Sequence, residues 1–147
     1  MIHRTAIIGE PAQWRKYRYP NVLKEDEDRA RNDYQPIVHS TAEVGALCVI
    51  DAGCVRRTQI GARTHVMAQV HVAHGVQVGE DCDIASGTVI AGEATIGDGV
   101  RIGIGVLIKP FVTIGDRARI GMGAVVICDV PPGEVWVGNP AKKIEGG

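Results

Sequence analysis

The chain has 147 residues, 45% hydrophobic but only 4% aromatic, with 19 glycines and a net charge of −1. That length bounds it to one domain, 1–147. The charge gives no electrostatic case for nucleic acid, and no apolar run approaches the roughly 18 residues of a membrane span.

The first residues, Met1-Ile2-His3-Arg4, carry no signal-peptide apolar core. Ile2 to Gly9 and Val38 to Gly45 share one pattern, aliphatic-His-x-Thr-Ala-x-aliphatic-Gly. They are read as the opening rung of one structure and its resumption, with His3 and His39 in equivalent structural places. Between them, residues 11–36 form a loop insertion holding Trp14, Tyr17, Tyr19 and Tyr34, four of the six aromatics. Loops this long are usually functional or disordered, and the aromatics argue against pure disorder. The insertion is either a solvated excursion or an arm over a neighbouring subunit or ligand groove.

From Ile60 to Val126 every sixth residue is Ile or Val, without a miss over twelve positions. Four residues after each stands a small one, from Thr64 to Val130. A period of six fits neither a helix nor an ordinary strand. It fits short strands joined at tight corners, three hexads to a triangular coil of about 18 residues. Gly61, Gly79, Gly97, Gly103, Gly115 and Gly121 follow the aliphatics and are expected to supply the corner angles. Coils stack, so residues 18 apart become neighbours. The expectation is all-β: a parallel β-helix of about five coils from Val38 to Val130, with Ile2 to Gly9 joining its base.

The register slips once. Ile50 to Ile60 is ten residues, across Asp51-Ala52-Gly53-Cys54-Val55-Arg56-Arg57-Thr58. The adjacent arginines are either solvated or turned to an anionic ligand. Cys48, Cys54 and Cys82 fall at small inward positions and read as buried thiols, which suits a reducing cytoplasm. In the tail, 131–147, Pro131-Pro132 ends the ladder, Glu134 to Val137 reads as a short strand and Asn139-Pro140 as a turn.

Three histidines stand close in sequence: His65, His71 and His74. Residues six apart lie on successive faces, so His65 and His71 diverge. Neither His71 nor His74 has a ligand 18 residues on, where Val89 and Gly92 stand. No metal is expected. His74 and Gly92 instead make a histidine beside a side-chain-free backbone N–H. That pair suits acyl transfer, in which a base takes a proton while a donor holds the oxyanion. Gly75 cannot orient the ring; Glu93, next to Gly92, is the candidate.

The hexads, His71-Val72-Ala73-His74, Ala91-Gly92 and the tail Gly138-Asn139-Pro140-Ala141-Lys142 resemble the hexapeptide-repeat acyltransferases. The likeness covers roughly Ile37 to Ile144. It extends to the UDP-sugar acyltransferases of lipid A synthesis and to nucleotide-sugar acetyltransferases. It implies a left-handed helix, a homotrimer with sites between subunits, and acetyl-coenzyme A as acyl donor. His74 is then the general base and Gly92 the thioester-oxygen donor. Gly103, Gly105, Gly121, Gly123 and Lys142 become candidate coenzyme contacts. The acceptor implied is an amino sugar or sugar nucleotide. Two features depart from the family. Gly75 stands where an Asp or Asn often follows the histidine. The extra domain or helical tail of the lipid A enzymes has no counterpart, which points away from a long acyl chain. The alternatives are a zinc protein like the γ-class carbonic anhydrases, suggested by Ile120-Gly121-Met122-Gly123-Ala124, and a non-catalytic trimer.

Overall fold

The computed structural model describes residues 1–10 and 34–144. Most of the expected insertion, with Trp14, Tyr17 and Tyr19, lies outside the described residues. Strands of two to four residues stack into three sheets, parallel except for the last pair, that form the faces of a left-handed triangular prism. One face holds six strands, including Val49–Asp51, His71–Val72, Val89–Ile90 and Leu107–Ile108. A second holds five, including Gln59–Ile60 and Gln77–Val78. The third holds seven and includes Asp83–Ile84, Arg101–Ile102 and Arg119–Ile120. Among the described residues no helix is long and apolar enough to cross a membrane.

The 18-residue register holds from Gln59 to Val126: Gln59 pairs with Gln77, His71 with Val89, Arg101 with Arg119. Each aliphatic of the repeat points inward, and Ile84, Ile90, Val72 and Val126 have no exposed surface. Buried Thr64 and Thr88 donate Oγ1–H to the carbonyls of Gly79 (2.8 Å) and Gly103 (3.1 Å). Among the described residues no buried side-chain polar atom lacks a partner.

The prism has about six turns, where five were expected. Strand Ile7–Glu10 pairs with Val49–Asp51 and joins the base as anticipated. At the other end Val135–Val137 pairs in parallel with Arg119–Ile120, and Lys142–Lys143 then turns back against it. The tail therefore forms the short strand expected at Glu134 to Val137, and that strand extends one face. His3 and His39 do occupy equivalent places. Each ring Nδ1 meets the hydroxyl two residues on, Thr5 at 2.9 Å and Thr41 at 3.0 Å.

The corners work differently from the expectation. From Arg63 to Gly123 every sixth residue has a positive φ, whether glycine or not; Asp81, Glu93, Phe111 and Arg117 share the geometry with Gly75 and Gly87. The left-handed position thus falls two residues after the expected glycines. Those glycines serve close approach instead. A methyl group on Gly61 would overlap the carbonyl of Gly79 in the next coil.

The slip is four added residues. Val49 pairs with His71, Ile37 with Gln59 and Glu43 with His65, a register of 22 in place of 18. The extra residues leave the prism at the edge where His74 stands, one coil below it. Thr58 takes the inward place, fully buried, while Cys54 is only half-buried at the edge. The expectation of a buried thiol at Cys54 is therefore corrected: the added residues carry it out of the core. Cys48 and Cys82 are buried as expected, and burial pushes both thiols up.

Candidate active site

His74 stands at the corner joining the His71–Val72 face to the Gln77–Val78 face, and the register places Gly92 in the same corner one turn on. A methyl group on Gly92 would overlap Nε2 and Cε1 of His74. The ring fills the space a side chain at 92 would need, which is why the residue is glycine. The ladder passes Gly92 through its carbonyl, which accepts from Phe111 N–H at 3.1 Å; no acceptor among the described residues meets its N–H. Equivalent amides on another edge bind carboxylates, Glu80 N–H to Asp98 Oδ1 at 2.8 Å and Asp98 N–H to Asp116 Oδ1 at 3.0 Å. An amide in this position is therefore presented to an oxygen from outside the ladder.

The carboxylate missing at position 75 arrives from the next coil. Gly75 has φ of 69°, and its N–H donates to buried Thr58 Oγ1 at 2.9 Å. A methyl group there would overlap the Glu93 carboxylate. Glu93 takes the left-handed corner conformation, φ 62°, and its N–H donates to the His74 carbonyl at 2.9 Å. Its Oε2 is 3.0 Å from Arg56 Nε. The same guanidinium donates to the carbonyls of Gly75 (2.7 Å) and Glu93 (2.9 Å). Arg56 is exposed, as the solvated reading has it, but it also clamps both residues, a role not expected from sequence. Cys54 Sγ lies 3.9 Å from Glu93 Oε1. The donor atoms of Cys54, His74 and Glu93 all fall within 4.8 Å of one another.

The other two histidines belong elsewhere. His65 Nδ1 faces Asp83 Oδ1 at 3.2 Å on a different face. His71 Nε2 faces Asp51 Oδ2 at 3.1 Å, a hydrogen bond that raises the His71 pKa against the opposing effect of burial. The three rings do not converge within one chain.

Nor does one chain unite His74 with the expected coenzyme contacts. Gly103 and Gly121 line an open groove of about 380 Å³, with Arg101, Arg119, Ile104 and Met122. Gly105 and Gly123 are the left-handed residues of that edge. Gly103 to Val106 and Gly121 to Ala124 turn from the Arg101–Ile102 face to the Leu107–Ile108 face, an edge apart from that of His74. Lys142 is exposed on the last strand of the groove's face, whereas Lys143 is engaged with Glu134 at 2.9 Å. Sequence reasoning missed Cys54 and the Arg56 clamp. Counting back from Ile60 would have placed the slip on the His74 edge. It also missed Arg101 over Arg119, which the 18-residue register stacks.

A triangular prism wound in hexads defines a class, and the bacterial transferase hexapeptide family (six repeats) matches residues 57–92 and 93–128. The chain carries the hexapeptide repeats of that family over these residues. It is 50% identical over 109 residues to the UDP-3-O-acylglucosamine N-acyltransferase of Caulobacter vibrioides, covering 74% of this chain and 32% of the relative. Among solved structures it resembles the UDP-N-acetylglucosamine O-acyltransferase of Moraxella catarrhalis, with a TM-score of 0.84 and 29% identity over 97% of this chain and 52% of that one. The acetyltransferase domain of PglB from Neisseria gonorrhoeae matches with a TM-score of 0.57 and 26% identity, covering 98% of this chain and 54% of the other. The chain spans about a third of the length of the curated relatives it matches.

Proposed function

We propose that the chain transfers an acyl group, acetyl in the simplest case, from coenzyme A to the amine or hydroxyl of a sugar nucleotide. The observation that carries this reading is the His74 ring seated against Gly92 with the Gly92 N–H directed out of the ladder. His74 takes the acceptor's proton as its nitrogen or oxygen attacks the thioester carbonyl. The Gly92 N–H holds the oxygen that gains charge in the tetrahedral intermediate, and collapse expels the coenzyme thiolate. Glu93, anchored by Arg56, lies beside the ring and orients it. The similar acyltransferases of Caulobacter vibrioides and Moraxella catarrhalis support a UDP-linked acceptor.

The coenzyme lies along the Gly103 and Gly121 groove, where Arg101, Arg119 and Lys142 offer cations to its phosphates. That groove and His74 stand on different edges of one prism, so a working site joins the edges of two copies. On this reading the copies assemble as a homotrimer with three such seams.

The test is release of free thiol from acetyl-coenzyme A against a panel of amino-sugar nucleotides. The parent turns over with at least one acceptor. His74→Ala loses about 10²–10⁴ of the rate while coenzyme binding by calorimetry is retained. Near-full activity in His74→Ala on a confirmed acceptor removes this mechanism.

A further inference from the structure

We propose that Cys54, His74 and Glu93 form a binding site for a thiophilic divalent cation of the zinc class, and that occupation of this site switches the acyl-transfer base off. The three residues offer one sulfur, one imidazole nitrogen and one carboxylate oxygen, each half-buried, with all three donor atoms within 4.8 Å of one another. Tetrahedral bonds of about 2.0–2.3 Å put ligand atoms roughly 3.3–3.7 Å apart. The 3.9 Å between Cys54 Sγ and Glu93 Oε1 is already close to that edge. Sulfur with imidazole selects zinc-like ions over calcium or magnesium, which take oxygen ligands.

The surroundings divide the labour of the carboxylate. Arg56 holds Oε2 at 3.0 Å, while Oε1 is turned toward Cys54. A ligating carboxylate held from behind in this way is the usual outer-shell support of a metal ligand. The donors come from separate parts of the chain: the four-residue slip carries Cys54, one corner carries His74 and the next coil carries Glu93. Acyl transfer itself assigns no task to the thiol. The cation replaces the thiol proton and takes the ring nitrogen lone pair, so a loaded site has no free base at His74. The cation acts as a blocker of transfer and not as a participant. Binding stands on this geometry alone; the effect on activity rests on the acyl-transfer reading above.

The probe is cobalt(II) chloride added to the reduced full chain, with zinc chloride as competitor. A thiolate-to-cobalt charge-transfer band is expected to saturate at one equivalent per chain and to be displaced by zinc. Cys54→Ser loses the band, Cys128→Ser keeps it, and Glu93→Gln weakens binding by more than the roughly 10–100-fold typical of an outer-shell change. Absence of the band, or its survival in Cys54→Ser, overturns the site. In the activity arm, zinc silences the parent, a chelator restores it, and Cys54→Ser keeps most of its own zinc-free rate. Zinc binding that leaves parental turnover intact overturns the switch. A titrating band in a protein that transfers no acyl group keeps the site and refutes the proposed function. Turnover without a band does the reverse.

Discussion

At the scale of single residues, the site depends on exchanges between adjacent coils. His74 occupies the volume of an absent side chain at Gly92, and Glu93 occupies that of an absent side chain at Gly75. Gly92→Ala keeps the backbone N–H but drives the ring out of place. Its turnover should therefore fall nearly as far as that of His74→Ala, about 10²-fold or more, with the far-UV spectrum unchanged. Glu93→Gln should lower turnover less, since the ring stays seated while its charged neighbour is lost. Wild-type turnover in Gly92→Ala would mean that the ring's seat has no bearing on the chemistry. His71 provides a contrast, because its proton is held by Asp51. A histidine whose native pKa is raised adds stability that is fully present below the unfolded value of about 6.5 and lost as pH rises through the native value. The stability gap between the parent and Asp51→Asn should accordingly be wider near pH 5.5 than near pH 8.5 in denaturant titrations. An equal gap at both would remove the His71–Asp51 pair as its source.

At the scale of the elements, the hexads were legible because each inward aliphatic is a strand and each strand falls on the same three faces. The 18-residue neighbours His71 and Val89, and His74 and Gly92, could be counted off directly. Corner chemistry was not legible in the same way. Glu93, Phe111 and Arg117 take the left-handed conformation that composition alone assigns to glycine, at the same corner position of their hexads as Gly75 and Gly87. The slip was visible as a break in period, but its destination was not. Whether four added residues bulge outward or shift the register depends on which one fills the core, and Thr58 does so. That choice brings Cys54 and Arg56 to His74. Deleting Cys54 to Arg57 restores a regular hexad with Thr58 as its small inward residue. The deletion should leave the far-UV spectrum and assembly intact while removing the Arg56 clamp. A loss of about 10²-fold in turnover is expected, as for a misplaced catalytic group. A fully active deletion would show that the clamp orients nothing.

At the scale of the whole molecule, the two halves of the proposed site stand on different edges. In that proposal the His74 edge supplies the base and the oxyanion donor, and the other supplies the groove with Arg101 and Arg119. Exposed Ile104 and Met122 beside that groove leave apolar surface that a neighbouring prism can cover. If each site takes one edge from each of two copies, two inactive variants can rescue one another. One variant is His74→Ala, with an intact groove. The other is Arg101→Glu with Arg119→Glu, which keeps His74 but repels the coenzyme phosphates. Unfolded and refolded together in equal amounts, random mixed trimers pair an intact His74 edge with an intact groove in about a quarter of their seams, by cyclic symmetry. The mixture should therefore recover about a quarter of parental turnover, whereas the variants refolded apart and then combined should recover almost none. Light scattering on the same samples should give three times the 15.7 kDa chain mass. Trimers of that mass without rescue would mean that base and coenzyme belong to a single chain, and the seam would then be packing surface only.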